Sequence, residues 1–109
     1  MKNLDFLVKR AKFYDVVADY INENTLKVYS PKYLFDSWLI IETESNIELW
    51  HQSKKNNLKK CSYHLHASIK KKYSIRALQK IKSHNEYVAF HKKVNKINLV
   101  DRVLGKATC

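Results

Sequence analysis

The sequence predicts a single α+β domain over residues 1–109. It reads as a long N-terminal helix packed on a three- to four-stranded antiparallel sheet, followed by a C-terminal helical pair. Three observations point there. Apolar residues recur at helical spacing through the first two dozen positions, the middle of the chain carries β-rich runs separated by polar turns, and the last third returns to helical spacing. With 45% hydrophobic and 12% aromatic residues, 109 residues suffice for one core of ordinary domain size.

Residues 4–24 place Phe6, Phe13, Val17, Tyr20 and Ile21 on one stripe, widened by Leu7, Ala11, Tyr14 and Ala18, which predicts one helix. Its polar face mixes Lys9, Arg10 and Lys12 with Asp5, Asp15, Asp19 and Glu23, so this helix is expected to back the sheet and not to meet a polyanion. Residues 26–30 follow as a short strand or an extended connection. Ser30-Pro31 has the form of an N-cap with proline at the first helical position, so one helical turn is expected over 31–35.

Residues 38–43 and 47–51 read as two strands joined by Glu44-Ser45-Asn46, a hairpin. The first is apolar on both sides, as a central strand covered on each face would be. Residues 61–68 alternate Cys61, Tyr63, Leu65 and Ala67 with Ser62, His64, His66 and Ser68, a third strand with its histidines facing outward. Ser74 can cap a helix over 75–82. Ser83-His84-Asn85-Glu86 has capping-box spacing, so a second helix is expected from Ser83, with a stripe of Tyr87, Phe90 or His91, Val94 and Ile97, ended by Gly105.

Charge is the main functional signal. Residues 1–53 hold six Lys/Arg and eight Asp/Glu, whereas residues 54–109 hold fifteen and two, so the halves carry −2 and +13. A net charge of +11 exceeds what solubility alone asks for and points to a phosphate-rich partner; a solvated lysine-rich face would give the same count. The expected contacts are Lys54, Lys55, Lys59 and Lys60, then Lys70, Lys71, Lys72 and Arg76, with Lys92, Lys93 and Lys96 on the last helix. A lysine cluster at a helix start adds the helix dipole to side-chain charge, and the two central clusters would clamp separated phosphates.

The α-β-β-β-α order over about residues 4–82, with Lys70, Lys71 and Lys72 opening the helix after the third strand, resembles the double-stranded-RNA-binding domain. The resemblance implies that those lysines hold phosphates. The family's glycines before the lysines and its alanine-rich helix face are not present in this chain.

Other chemistry is sparse. With one Gly, no Gly-rich phosphate loop can form, and no cofactor is expected. No window approaches the roughly 18 apolar residues of a membrane span, and Asp5 interrupts the first apolar run, unlike a signal peptide, so a cytoplasmic setting is expected. Cys61, in a strand, and Cys109, at the last position, imply no disulfide framework.

His64-x-His66 puts two imidazoles on one strand face, a spacing suited to a metal or a scissile phosphate. A metal would need further ligands, for which His51, Glu48 and Cys61 are the candidates, so no metal is assigned. His84 and His91 receive no role. Tyr63 and Tyr73 stand between lysines, where bases stack, although Tyr63 alternates with the core face; Trp50 reads as core cover or an interface anchor.

The leading expectation is therefore a non-enzymatic DNA- or RNA-binding protein. The alternative is a protein-binding inhibitor or adaptor of mobile-element or phage type, docking its basic face on an acidic or nucleic-acid-binding surface of a target protein. The third is a nuclease using His64 and His66.

Overall fold

The computed structural model describes residues 3–33, 36–53 and 63–103, with side chains described through His91 except that of Ser53. Helix α1 (Asn3–Arg10) runs into a 3-10 turn (Ala11–Tyr14). Five strands follow, β1 (Val17–Asn22), β2 (Thr25–Tyr29), β3 (Asp36–Glu42), β4 (Asn46–Ser53) and β5 (His64–Lys70). A second 3-10 turn (Lys71–Tyr73) then leads into helix α2 (Ile75–Val103). The strands form one antiparallel meander in the order β1-β2-β3-β4-β5.

The α+β class stands, but the architecture differs from the expectation in three respects. The long N-terminal helix is not formed. Asp15 takes a left-handed conformation (φ 61°) that ends the helical path, and after Val16 the chain continues as an extended edge strand that includes the β-branched Val17 and Ile21. The stripe read as helical includes Val17 and Tyr20, which are strand residues; the spacing of apolar positions there serves both periods.

The sheet has five strands and not three or four, so the order is not that of the double-stranded-RNA-binding domain. The C-terminal pair is a single helix. Ser83 lies inside α2, where the turns before it already hold its backbone. No Gly or Pro interrupts residues 75–103, so the capping-box spacing has no helix end to act on.

Smaller expectations are met in part. The hairpin at Glu44-Ser45-Asn46 forms, closed by Thr43 N donating to Asn46 O at 2.9 Å. Ser30 Oγ accepts from the amides of Lys32 and Tyr33 at 3.2 and 3.1 Å, as a cap would. Residues 31–33 nevertheless bend without a helical turn, and Leu34 and Phe35 lie outside the described residues.

One face of the sheet carries the core. Leu4, Leu7 and Ala11 pack with Ala18, Leu26, Val28, Trp38, Ile40, Ile47, Leu49 and Ile69, and α2 adds Ala77, Leu78 and Ile81, so both helices cover the same side. The i, i+3, i+4, i+7 stripe begins at Ser74, just before α2, and runs through Ala77, Leu78 and Ile81 of that helix. β3 is central, as expected, but only one of its faces is sealed. Leu39 and Ile41 on the other face stay half-buried, beside a half-buried Trp50 whose Nε1 donates to Glu48 Oε1 at 3.1 Å.

Candidate functional site: a histidine cluster at a basic pocket

At one end of the covered face the apolar rows give way to polar ones. Asp36, Trp38 and Ile40 alternate on β3, so Asp36 points to the same side as the core. Trp38 pairs with His51 of β4, and His51 pairs with His64 of β5, which lines one row with aromatic rings. α2 contributes His84, one turn beyond Ile81 on the stripe that faces the sheet.

A β-bulge decides where the β5 histidines go. Ala67 pairs with Leu49, but Leu65 pairs with Trp50, so β5 carries one extra residue, His66. The slip turns Leu65 to the open face, where it is 50% exposed, and brings His64 opposite His51. The expected alternation is corrected for Leu65, which faces the open side and not the core; His64 and His66 are exposed, as expected, yet both stand at the His51 ring, with centroids 5.1 and 5.9 Å away.

The centre of the cluster is a carboxylate. His51 Nε2 donates to Asp36 Oδ1 at 3.0 Å, and His84 Nε2 lies 3.3 Å from Asp36 Oδ2. The second contact is at ion-pair range without the alignment of a hydrogen bond, leaving Oδ2 a buried acceptor. Trp38, fully buried, is the platform: its ring lies 4.3 Å from His51 at 30°, and it meets His66 and His84 edge-on at 5.3 and 5.1 Å. The His66 and His84 rings are 5.8 Å apart.

His66 and His84 line a pocket of about 690 Å³ together with Arg76, Lys80, Ser83 and Tyr87. Burial pushes the pKa of His66 below the ordinary 6.5, and the neighbouring His84, His51, Lys80 and His64 push the same way. Burial likewise lowers His84, with His51 adding to the shift and Asp36 opposing it. Both shifts favour the neutral ring, the state in which an imidazole accepts a proton. The donor atoms of Asp36, His51 and His84 lie within 4.8 Å of one another, close enough to share a cation of the zinc type. Here Oδ1 is already engaged by His51.

Of the expected phosphate contacts, Arg76 lines this pocket, and Lys72 lines a second cavity near the start of α2. Lys70 is exposed, and Lys71 Nζ is drawn 3.6 Å from Glu42. Lys54, Lys55, Lys59, Lys60 and Cys61 lie outside the described residues, as does Cys109; Lys92, Lys93 and Lys96 are on α2, with only their backbone described. Tyr63 is half-buried, its hydroxyl 3.2 Å from Ser37 Oγ.

Asp36, His84, Trp38 and Lys80 were not legible as site residues, and His51 only as a spare ligand. A signal did exist: Asp36 shares the alternation of Trp38 and Ile40, and His84 follows Ala77 and Ile81 at helical spacing, so each is a polar residue on a core-facing stripe. No family model, curated protein or solved structure matches this chain. Among the described residues, no helix is long and apolar enough to cross a membrane.

Proposed function

We propose that this chain binds nucleic acid and cleaves RNA, with imidazoles as base and acid. One observation carries the reading: His66 and His84, with rings 5.8 Å apart, open on a single pocket with Arg76 and Lys80, in front of a buried Asp36. This departs from the expectation of a non-enzymatic binder: of the expected phosphate contacts it uses Arg76, and of the His64/His66 nuclease it keeps His66 and puts His84 in the place of His64.

RNA is the class these groups suffice for, because it brings its own nucleophile. His84, oriented by Asp36, takes the proton of a 2′-hydroxyl, and that oxygen attacks the adjacent phosphorus. The bond to the 5′-oxygen breaks as His66, in its protonated form, gives that oxygen a proton. The products are a 2′,3′-cyclic phosphate and a 5′-hydroxyl, and Arg76 and Lys80 stabilise the extra charge on the phosphorane. His51 is a positioning residue that holds the carboxylate. A cytoplasmic setting, where RNA is plentiful, fits this chemistry.

The test is incubation of the full chain with end-labelled RNA and with the same sequence carrying 2′-O-methyl groups, each with and without a chelator. Cleavage of the RNA alone, to cyclic-phosphate ends and unaffected by chelator, is expected. Binding without cleavage would return the chain to a non-enzymatic role. Cleavage abolished by chelator would make Asp36, His51 and His84 a metal centre.

A further inference from the structure

The histidine pocket is not the only place where cations and aromatic rings meet. Tyr73, 40% exposed on the 3-10 turn before α2, has Arg76 Cζ 4.4 Å and Lys72 Nζ 5.2 Å from its ring centroid. Arg76 also lines the histidine pocket, and Lys72 also lines a cavity of about 250 Å³ bounded by Phe6, Arg10, Phe13 and Tyr14. Tyr73 therefore lies between the two cavities, flanked by one cation from each. The turn that carries it is fixed by Ser74 N donating to Lys71 O and Ala77 N donating to Ser74 O, at 3.2 and 3.0 Å.

The far cavity has the same make-up. Phe13 is 65% exposed with Lys12 Nζ 5.3 Å from its ring, and Arg10 Cζ lies 4.9 Å from the Phe6 ring. Among the described residues, Arg10, Lys12, Lys72 and Arg76 form no ion pair with a carboxylate. An exposed Phe and Tyr give up burial, and unpaired cations beside them leave a positive, π-faced strip. That combination suits a backbone of phosphates whose bases are free to stack, which a duplex does not offer.

We propose that a single-stranded stretch flanking the scissile phosphate runs from the His66/His84 pocket over Tyr73 into the cavity at Phe6 and Phe13, with bases stacking on Tyr73 and Phe13 and phosphates held by Arg76, Lys72 and Arg10. The inference rests on the proposed function only in placing the scissile phosphate at the histidines.

Binding is measured by fluorescence anisotropy of the full chain with labelled 2′-O-methyl RNA of about 4 and about 12 nucleotides, lengths that bracket common single-strand sites. This probe cannot be cut through its 2′-oxygen. The longer strand is expected to bind more tightly than the shorter and more tightly than a duplex of its own length. Phe13→Ala and Tyr73→Ala, each checked for folding by circular dichroism, should each weaken the longer strand by about 5- to 100-fold, from the usual worth of one stacked base. Phe13→Trp should restore it. Folded variants that bind both lengths as the parent does would overturn the track, as would tighter binding of the duplex. A chain that binds with this length dependence but cuts no RNA would refute the cleavage reading and leave the track standing.

Discussion

Asp36 and His51 form a buried pair across adjacent strands: His51 Nε2 donates to Asp36 Oδ1 at 3.0 Å, with their side chains 2% and 7% exposed. They are diagonal neighbours, since Asp36 is opposite Ser53 and His51 opposite Trp38. The pair fixes the carboxylate that His84 approaches from α2. Replacing Asp36 by Ala leaves a buried imidazole nitrogen unpaired, which should cost about 1–3 kcal/mol of unfolding free energy in urea titration. Glu48→Ala, on the half-open face, should cost less than about 1 kcal/mol. Equal losses would show the pair to be incidental.

His66→Gln and His84→Gln test the chemistry separately from binding. Each should lower the rate of RNA cleavage by about 10²- to 10⁴-fold, the usual contribution of a proton-transfer group, while the affinity for 2′-O-methyl RNA changes little. Loss of binding in step with rate would reduce the histidines to contact residues.

The lowered pKa values of both rings set the direction of the pH profile. Cleavage needs one imidazole neutral and the other protonated, so the rate should be bell-shaped with its maximum on the acid side of pH 6.5. Stability follows the same groups. His66 faces His84, His51, His64 and Lys80, and His84 faces His51, His64 and Asp36. Because the folded values lie below the unfolded 6.5, the unfolded chain takes up protons first as pH falls. The contribution of these rings is present above pH 6.5 and is lost from there downward. Melting curves between pH 5 and 8 should show this fall, and the double variant His66→Gln/His84→Gln should flatten it.

The lysines of the 70–72 cluster should not be equivalent. Lys71 is drawn to Glu42, whereas Lys72 and Arg76 flank Tyr73 and have no acidic partner among the described residues. On single-stranded probes, Lys72→Gln and Arg76→Gln should each reduce the magnitude of the slope of log K against log salt by about 0.7, and Lys71→Gln by less. A uniform effect of all three would return the surface to a diffuse basic patch.

Ser83 distinguishes one helix from two. As the cap of a second helix, its replacement by Ala would cost about 1 kcal/mol; inside the continuous α2 the same change should be neutral or slightly stabilising, because Ala is the better helix former. Urea denaturation of Ser83→Ala decides.

The amino-acid sequence by itself determined the features whose causes are local. The β3–β4 hairpin follows from two β-rich runs and a polar turn, the basic second half is a matter of counting, and the start of the helix after Ser74 follows from that residue as a cap. Where two local signals competed, spacing misled: the first dozen apolar positions satisfy a helix as well as a helix followed by a strand, and only the left-handed Asp15 and the pairing of β1 with β2 select the latter. His66 was a candidate from the sequence, but its assembly with the other site residues was decided by tertiary structure. Asp36, His51, His66 and His84 come together through strand register, a one-residue bulge and the docking of α2. The face that His64 and His66 present depends on pairing with Leu49 and Trp50, residues far along the chain, because a slip of one residue reverses every side chain of a strand.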